Sequence, residues 1–318
     1  MESFSAKRAA IIYNPVARKL SRSQHLLQRT IDSLKQQGVE ASLVGTTGPG
    51  SASAQAKKQI DAGCDLILAA GGDGTINEVA HGMLHTGVPL GIIPGGTANV
   101  LAREAHIPIN MLASVRDLSK MTPTRIAVGT LRIGNFEQRP FLCMAGVGFD
   151  AEIVTHVNLD LKAALGKLAY YIGGFSQVFR PLTEFEVTID GKNYEASFVL
   201  VSRVRNYGGD LEIARGASLL RNEFQVVLFR GKHAFRYLPY LAAVSLRCAE
   251  RVSGCTFVYG RSVTCKTPNG ESIFAQVDGE LAGKLPISVE LVPDALTLLL
   301  PSAFVEREQS AIDIRACA

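Results

Sequence analysis

No apolar stretch in this 318-residue chain reaches the roughly 18 residues that a membrane-spanning helix needs, so a transmembrane segment is not expected. Residues 1–8 lead into a five-residue apolar segment that ends at Asn14, too short for the apolar region of a secretory signal. The six cysteines, at 64, 143, 248, 255, 265 and 317, include no Cys-x-x-Cys pair, which argues against a zinc knuckle or a dithiol redox motif. Cys64 and Cys143 sit in or beside apolar runs, as reduced, buried thiols of a cytosolic protein do. Charged residues make up 19% and hydrophobic ones 47%, the balance of a folded chain and not a disordered one. Neither Gly-x-x-x-x-Gly-Lys-Ser/Thr nor the nucleophile elbow Gly-x-Ser-x-Gly occurs. There is no internal repeat and no low-complexity linker.

What the chain does contain is a glycine loop in a telling place. Gly71-Gly72-Asp73-Gly74-Thr75 follows the apolar run 65–70 and opens a helical pattern over 76–84. A strand that stops in glycines and turns straight into a helix leaves backbone N–H groups unpaired at a positive helix terminus, which suits phosphate. Pro94-Gly95-Gly96-Thr97 ends the next apolar run, 88–93, in the same way. Either loop alone could be a tight turn. Asp73 has no ladder role in a turn, and can hold a magnesium ion or orient a phosphate-binding amide.

The length favours two domains. Up to about residue 123 strands and helices alternate. Residues 8–13 read as a strand. Ser21-x-x-Gln24 resembles a capping box for a helix with Leu27, Ile31 and Leu34 on one face. A strand over 39–44, a small-residue helix to Asp61, a strand over 88–93 and a short helix over 98–105 follow. This order predicts an α/β domain with a parallel sheet and helices on both faces, its ligand at the carboxyl edge. From 124 to 292 the pattern is β-rich, as in a β-sandwich: strands over 124–133 and 136–144, a hairpin of 185–189 with 194–201 around Asp190-Gly191-Lys192-Asn193, and strands at 224–229, 256–258, 262–266 and 287–291. Helical interruptions are expected over 159–179 and 239–251. The apolar run 296–300 is expected to return to the first domain, completing it with residues 293–310.

Asn14-Pro15, Gly71-Gly-Asp-Gly-Thr-Ile-Asn-Glu78, Pro94-Gly-Gly-Thr-Ala-Asn99, Gly146-Val-Gly-Phe-Asp150, Leu161-Lys-x-x-Leu-Gly-Lys-Leu-Ala-Tyr170 and Val277-Asp-Gly-Glu280 occur in series. Together they resemble the catalytic region of the diacylglycerol kinase family, which includes bacterial lipid kinases and sphingosine kinases, over residues 8–300. The resemblance implies an ATP-dependent lipid kinase that transfers the γ-phosphoryl group of MgATP to a lipid hydroxyl, diacylglycerol giving phosphatidic acid. It implies that ATP is held by Asn14, Pro15, Thr46, Thr47, Gly71, Gly72, Asp73, Gly74, Thr75, Asn77, Glu78, Gly95, Gly96, Thr97 and Asn99, in a cleft between the domains, with the catalytic Mg²⁺ carried near Asp73. It also gives Asp278-Gly279-Glu280 the carboxylate that accepts the hydroxyl proton: Asp278 is the expected base, with Glu280 as alternative or partner. Asp-Gly by itself is a common surface turn. Members with a structural magnesium carry acidic residues where Leu220-Arg221-Asn222-Glu223 stands here. Either that accessory metal is absent, or Arg221 replaces its charge, or Asp210 and Glu212 take over.

Residues 203–266 hold eleven Lys and Arg against four Asp and Glu, a local excess of +7 in a chain of net charge +4. Such a surface suits transient docking of a cytoplasmic protein on an anionic leaflet, or is simply solvated. The amphipathic stretch 233–251, with Phe235, Leu238, Leu241 and Val244, is a candidate contact, or packs on the sheet. No nucleic-acid partner is expected, and a homo-oligomer is compatible with the chain. Gly146-x-Gly148-x-x-Ala151 fits a dinucleotide fingerprint but lacks the acidic residue that follows it in dehydrogenases. His81 and His85, at helical spacing, lack the glutamate of a zinc protease. Two other functions compete: a nicotinamide-nucleotide kinase, which shares the Gly-Gly-Asp-Gly-Thr loop, and a catalytically silent lipid- or nucleotide-binding regulator.

Overall fold

The computed structural model describes residues 4–16, 24–116, 118–134, 138–148, 182–208, 211–233, 239–240, 243–244, 252–267 and 270–316. Ser21, Asp150, Asp210, residues 159–179 with the motif 161–170, and Phe235, Leu238 and Leu241 of the amphipathic stretch lie outside them. Two compact units are formed, Met1–Ala127 with Pro293–Ala318, and Val128–Val292.

In the first unit β1 (Arg8–Tyr13), α1 (Gln24–Gln36), β2 (Glu40–Gly45), α2 (Ser51–Asp61), β3 (Leu66–Gly71), α3 (Asp73–Met83), β4 (Leu90–Pro94), α4 (Val100–Glu104) and α5 (Met111–Arg116) alternate, and β5 (Met121–Ile133) leads out. β1 lies between β2 and β3, and β3 pairs with β4, all parallel. Burial on both faces explains the unbroken apolar strands. Ala9, Ile11, Leu66 and Leu68 pack with Leu27 and Leu34 of α1 and Met111 and Val115 of α5. The alternate residues Ala10, Ile12, Ile67 and Ala69 are equally buried on the opposite face, where α2 and α3 contact the sheet. A Cβ on Gly82 of α3 would lie 2.2 Å from the Ser53 carbonyl oxygen, so these two helices touch backbone to backbone.

In the second unit come β6 (Gln138–Phe141), β7 (Met144–Gly148), β8 (Phe185–Ile189), β9 (Lys192–Ala196), β10 (Phe198–Ser202), the short ribbon β11 (Asn206–Tyr207) and β12 (Leu211–Glu212), β13 (Phe224–Phe229), β14 (Cys255–Gly260), β15 (Ser262–Lys266), β16 (Phe274–Val277), β17 (Glu280–Lys284) and β18 (Ile287–Pro301). One sheet runs β14-β13-β10-β7-β16-β17, with antiparallel neighbours. In the other, β15 pairs with β8 and with the start of β18, and β8 pairs with β9. Residues two apart, such as Val199 and Val201, Val226 and Leu228, Val263 and Cys265, fill one core. Asp190 and Gly191, at φ 44° and 81°, form the two-residue hairpin turn that joins β8 to β9.

The last residues of β18 belong to the first unit, where Leu298 pairs parallel with Leu90 of β4, and α6 (Ser302–Ala316) follows. The fold is thus a mostly parallel α/β domain and an antiparallel, sandwich-like β domain.

Several details differ from expectation. The run 287–291 and the run 296–300 form one strand, β18. The expected strand 136–144 breaks at Leu142-Cys143, whose amides turn to Asp278. The expected strand 194–201 breaks at Ser197, whose amide donates to the Phe229 carbonyl and sends β10 into the other sheet. His81 and His85 do not share a helix face, because α3 ends at Met83 and His85 has φ 62°. Gly146 and Gly148 lie in antiparallel β7, not in a strand-to-helix turn, which removes the dinucleotide reading. Among the described residues no helix is long and apolar enough to cross a membrane.

Candidate active site

In the first unit the glycine loops come together at the carboxyl edge of the sheet. β3 is buried along its whole length and ends at Gly71; Gly72 is extended and caps α3 without a side chain. The first backbone bond of the helix runs from the Ile76 amide to the Gly72 carbonyl. The amides of Asp73, Gly74 and Thr75 therefore precede the helical ladder, at the positive end of the dipole. Any Cβ on Gly71 would meet the Thr75 side chain at 2.8 Å, so only glycine lets Thr75 fold back there.

The second loop is tied to the first. The Gly95 amide donates to the Gly71 carbonyl at 2.7 Å, and a Cβ on Gly96 would stand 2.6 Å from the Gly72 Cα. Asn99, buried and at φ 48°, closes its own loop: its Oδ1 accepts from the Gly96 amide at 2.9 Å and its Nδ2 donates to the Gly96 carbonyl at 3.0 Å. Thr97 is exposed at the tip. Asp73 reaches across, its Oδ1 accepting from the Leu101 amide at 3.4 Å. Burial pushes the Asp73 carboxyl above its ordinary value, and the amides of Leu101, Val100, Asp73 itself and Asn99 pull it partly back. The Asp73 carboxyl thus ties the start of α3 to the start of α4.

Of the remaining predicted ligands, Asn14, Pro15, Thr46 and Thr47 follow the ends of β1 and β2, and Asn77 and Glu78 lie in α3. Asn14, at the end of β1, accepts from the Val16 amide at 3.0 Å and so orders the turn that carries Pro15. Thr46 donates its amide to the Tyr13 carbonyl, and Thr47 donates to the Ser51 hydroxyl. Glu78 accepts from the Ala52 amide at 2.8 Å. Its charge thus caps the N-terminus of α2, a role that the spacing of residues did not reveal. Asn77 is half-buried on α3.

In the second unit Asp278 and Gly279, at φ 47° and 83°, make the turn between β16 and β17. The Asp278 carboxylate accepts three amides: Leu142 at 3.0 Å on Oδ2, and Cys143 at 3.1 Å and Met144 at 2.9 Å on Oδ1. Buried Gln276 takes the Gly279 amide at 2.8 Å. Glu280, the first residue of β17, is exposed. Sequence reasoning passed over Gln276 and the amides of 142–144; a glutamine inside an apolar strand next to Asp-Gly was the available signal.

Arg221 donates to Glu223 at 2.6 Å and lies over the Tyr259 ring, 5.4 Å from its centroid. Glu212 is 4.0 Å from Arg215. Of the basic residues of 203–266, Arg203 is buried. Arg230, which pairs with Glu195 at 2.7 Å, and Arg261, which donates to the Asn222 carbonyl, are exposed but engaged. Arg215, Lys232 and Lys266 are exposed.

Residues 8–131 match the family model of the diacylglycerol kinase catalytic domain, and residues 143–300 match that of the YegS C-terminal NAD kinase beta sandwich-like domain. The chain is 34% identical over 286 residues to a diacylglycerol kinase of Bacillus subtilis, covering 88% of this chain and 92% of that one. It is 27% identical over 286 residues to a diacylglycerol kinase of Staphylococcus carnosus, covering 88% and 90%. A crystal structure of a putative diacylglycerol kinase from Bacillus anthracis superposes with a TM-score of 0.78 at 23% identity, over 95% of this chain and 97% of that one. With a relative this similar along nearly its whole length, and with paired glycine loops and an acidic turn in place, the chain belongs to the diacylglycerol kinase family and is a lipid kinase.

Proposed function

We propose that the protein transfers the γ-phosphoryl group of ATP to the hydroxyl of a membrane lipid, diacylglycerol giving phosphatidic acid. The observation that carries this reading is the joined pair of glycine loops, in which the Gly95 amide ties the loops together, the Gly96 amide closes the second, and the amides of Gly74 and Thr75 stand ahead of the α3 ladder. These last amides would take the phosphates, and Asn14, Pro15, Thr46 and Thr47 the rest of the nucleotide. Mg²⁺ arriving with ATP would neutralise charge on the transferred group. It keeps much of its shell as phosphate oxygen and water, so the single loop carboxylate, Asp73, fits it.

The acceptor hydroxyl needs a base. Its pKa is near that of water, about 15.7, so it cannot ionise beforehand at neutral pH. With three amides on its oxygens Asp278 holds the turn in shape, and exposed Glu280 takes the proton. Asp278 was the base expected from sequence; its anchored carboxylate favours the exchange of roles. Such a base contributes about 10²–10⁴ in rate, and the rest of the rate comes from positioning and charge neutralisation.

Transient contact with an anionic leaflet, through exposed basic residues such as Lys232 and Lys266, would bring the lipid to a cytoplasmic enzyme. The test is γ-labelled ATP with vesicles holding diacylglycerol, a sphingoid base or phosphatidylglycerol, and with NAD in a parallel tube. Label in phosphatidic acid is expected. The sandwich domain's NAD kinase-like match favours one second reading, and label in NADP would establish it. ATP left unconsumed in every tube would leave a silent binding protein.

A further inference from the structure

The segment 219–223 of the second unit is wrapped around a guanidinium. Arg203, with no exposed surface, donates from Nη1 to the carbonyls of Arg221 and Glu223, the latter at 3.1 Å, and from Nη2 to the carbonyl of Leu219. Three alternate carbonyls of one short segment thus converge on one cation, the arrangement by which loops bind hard metal ions. The intervening Asn222 carbonyl accepts from Nε of Arg261 at 2.9 Å. Arg221 then covers the segment, pairing with Glu223 and lying on Tyr259.

We propose that these arginines occupy the place of the structural magnesium found in some relatives, so that the fold of this chain is independent of divalent cations and Mg²⁺ is needed only with the nucleotide. The residues present do not fit a metal. The inward carbonyl oxygens already accept from the Arg203 guanidinium, and three guanidinium groups bond a segment whose one acidic side chain is Glu223. Among the described residues, a doubly charged ion there would meet net positive charge and carbonyl oxygens already engaged by a cation. Arg203 stays charged in its buried place. Burial lowers its pKa to about 10, with the Glu223 carboxylate opposing the shift, and that still leaves it protonated at neutral pH.

The experiment uses the nucleotide-free full chain, so it stands apart from the lipid and the activity assigned above. Thermal unfolding is followed in excess EDTA and in millimolar Mg²⁺. The wild-type midpoint is expected to be the same in both. A midpoint that rises with Mg²⁺ would overturn the proposal. Arg221→Asp removes the covering charge and places a second carboxylate beside Glu223. This variant is expected to melt lower than wild type in EDTA and to recover in Mg²⁺. A loss that Mg²⁺ does not restore would show that Arg221 does not stand where a cation would, and would equally overturn it.

Discussion

Met144 and Asp278 exchange hydrogen bonds in both directions: the Met144 amide donates to Asp278 Oδ1, and the Asp278 amide donates to the Met144 carbonyl, each at 2.9 Å. The acidic turn is therefore pinned to the start of β7 by backbone as well as side chain. Asp278→Asn replaces one acceptor by an N–H donor that faces other N–H groups. It should cost about 1–3 kcal/mol in stability and lower turnover, with ATP binding kept. Denaturant melts and nucleotide titration on one sample check both halves.

Glu280→Gln separates chemistry from architecture. The side chain is exposed, so the melting midpoint should stay put while kcat falls by about 10²–10⁴. A variant with full turnover would return the base to Asp278 or remove it from the acidic turn altogether.

Asp73 predicts a pH dependence. Its folded pKa is raised, mainly by burial. Stability from this group is thus fully present below the ordinary value of 3.8 and is lost as pH rises through the folded value. Asp73→Asn keeps an oxygen for the Leu101 amide and removes the buried charge. The variant should match wild type in acid, exceed it at neutral pH, and lose kinase activity. Unfolding free energies measured across pH 4–8 give the comparison; a variant less stable at pH 7 would contradict it.

Gly96→Ala is the steric test of the joined loops. The new Cβ would lie 2.6 Å from Gly72 Cα and 2.9 Å from Asn99 Oδ1. The loops must part, at about 1–3 kcal/mol, and ATP affinity should fall sharply in a fluorescence or calorimetric titration.

Glu78→Ala tests the cap on α2. Loss of its bond to the Ala52 amide should cost about 0.5–2 kcal/mol. Glu78→Gln, which keeps an acceptor oxygen, should restore most of it in the same melt.

The elements with sharp local chemistry were legible in the sequence. β3, its glycines and α3 read directly, because a buried strand, a Cβ-free corner and an amphipathic helix each leave a pattern. Asp190-Gly191 read as a hairpin for the same reason. The breaks at Leu142-Cys143 and Ser197 were not legible, because their amides are taken by Asp278 and by Phe229, partners remote in sequence. α6 escaped notice because only Phe304 and Glu308 of its described side chains are buried, which leaves no helical period to read. In the candidate site, the glycine corners were legible and the contacts between the two loops were not. Glu78, Asn99 and Asp278 read as ligand or base from their motifs, yet each bonds backbone amides that sequence spacing does not reveal.

The ties between the two glycine loops have a thermodynamic consequence. Because Gly71, Gly72 and Asp73 are already fastened to Gly95, Gly96 and Leu101, the ordering entropy of those turns is lost when the chain folds. On the proposed function, a nucleotide would then meet a preorganised surface, and little of its intrinsic affinity would be consumed in shaping the receptor.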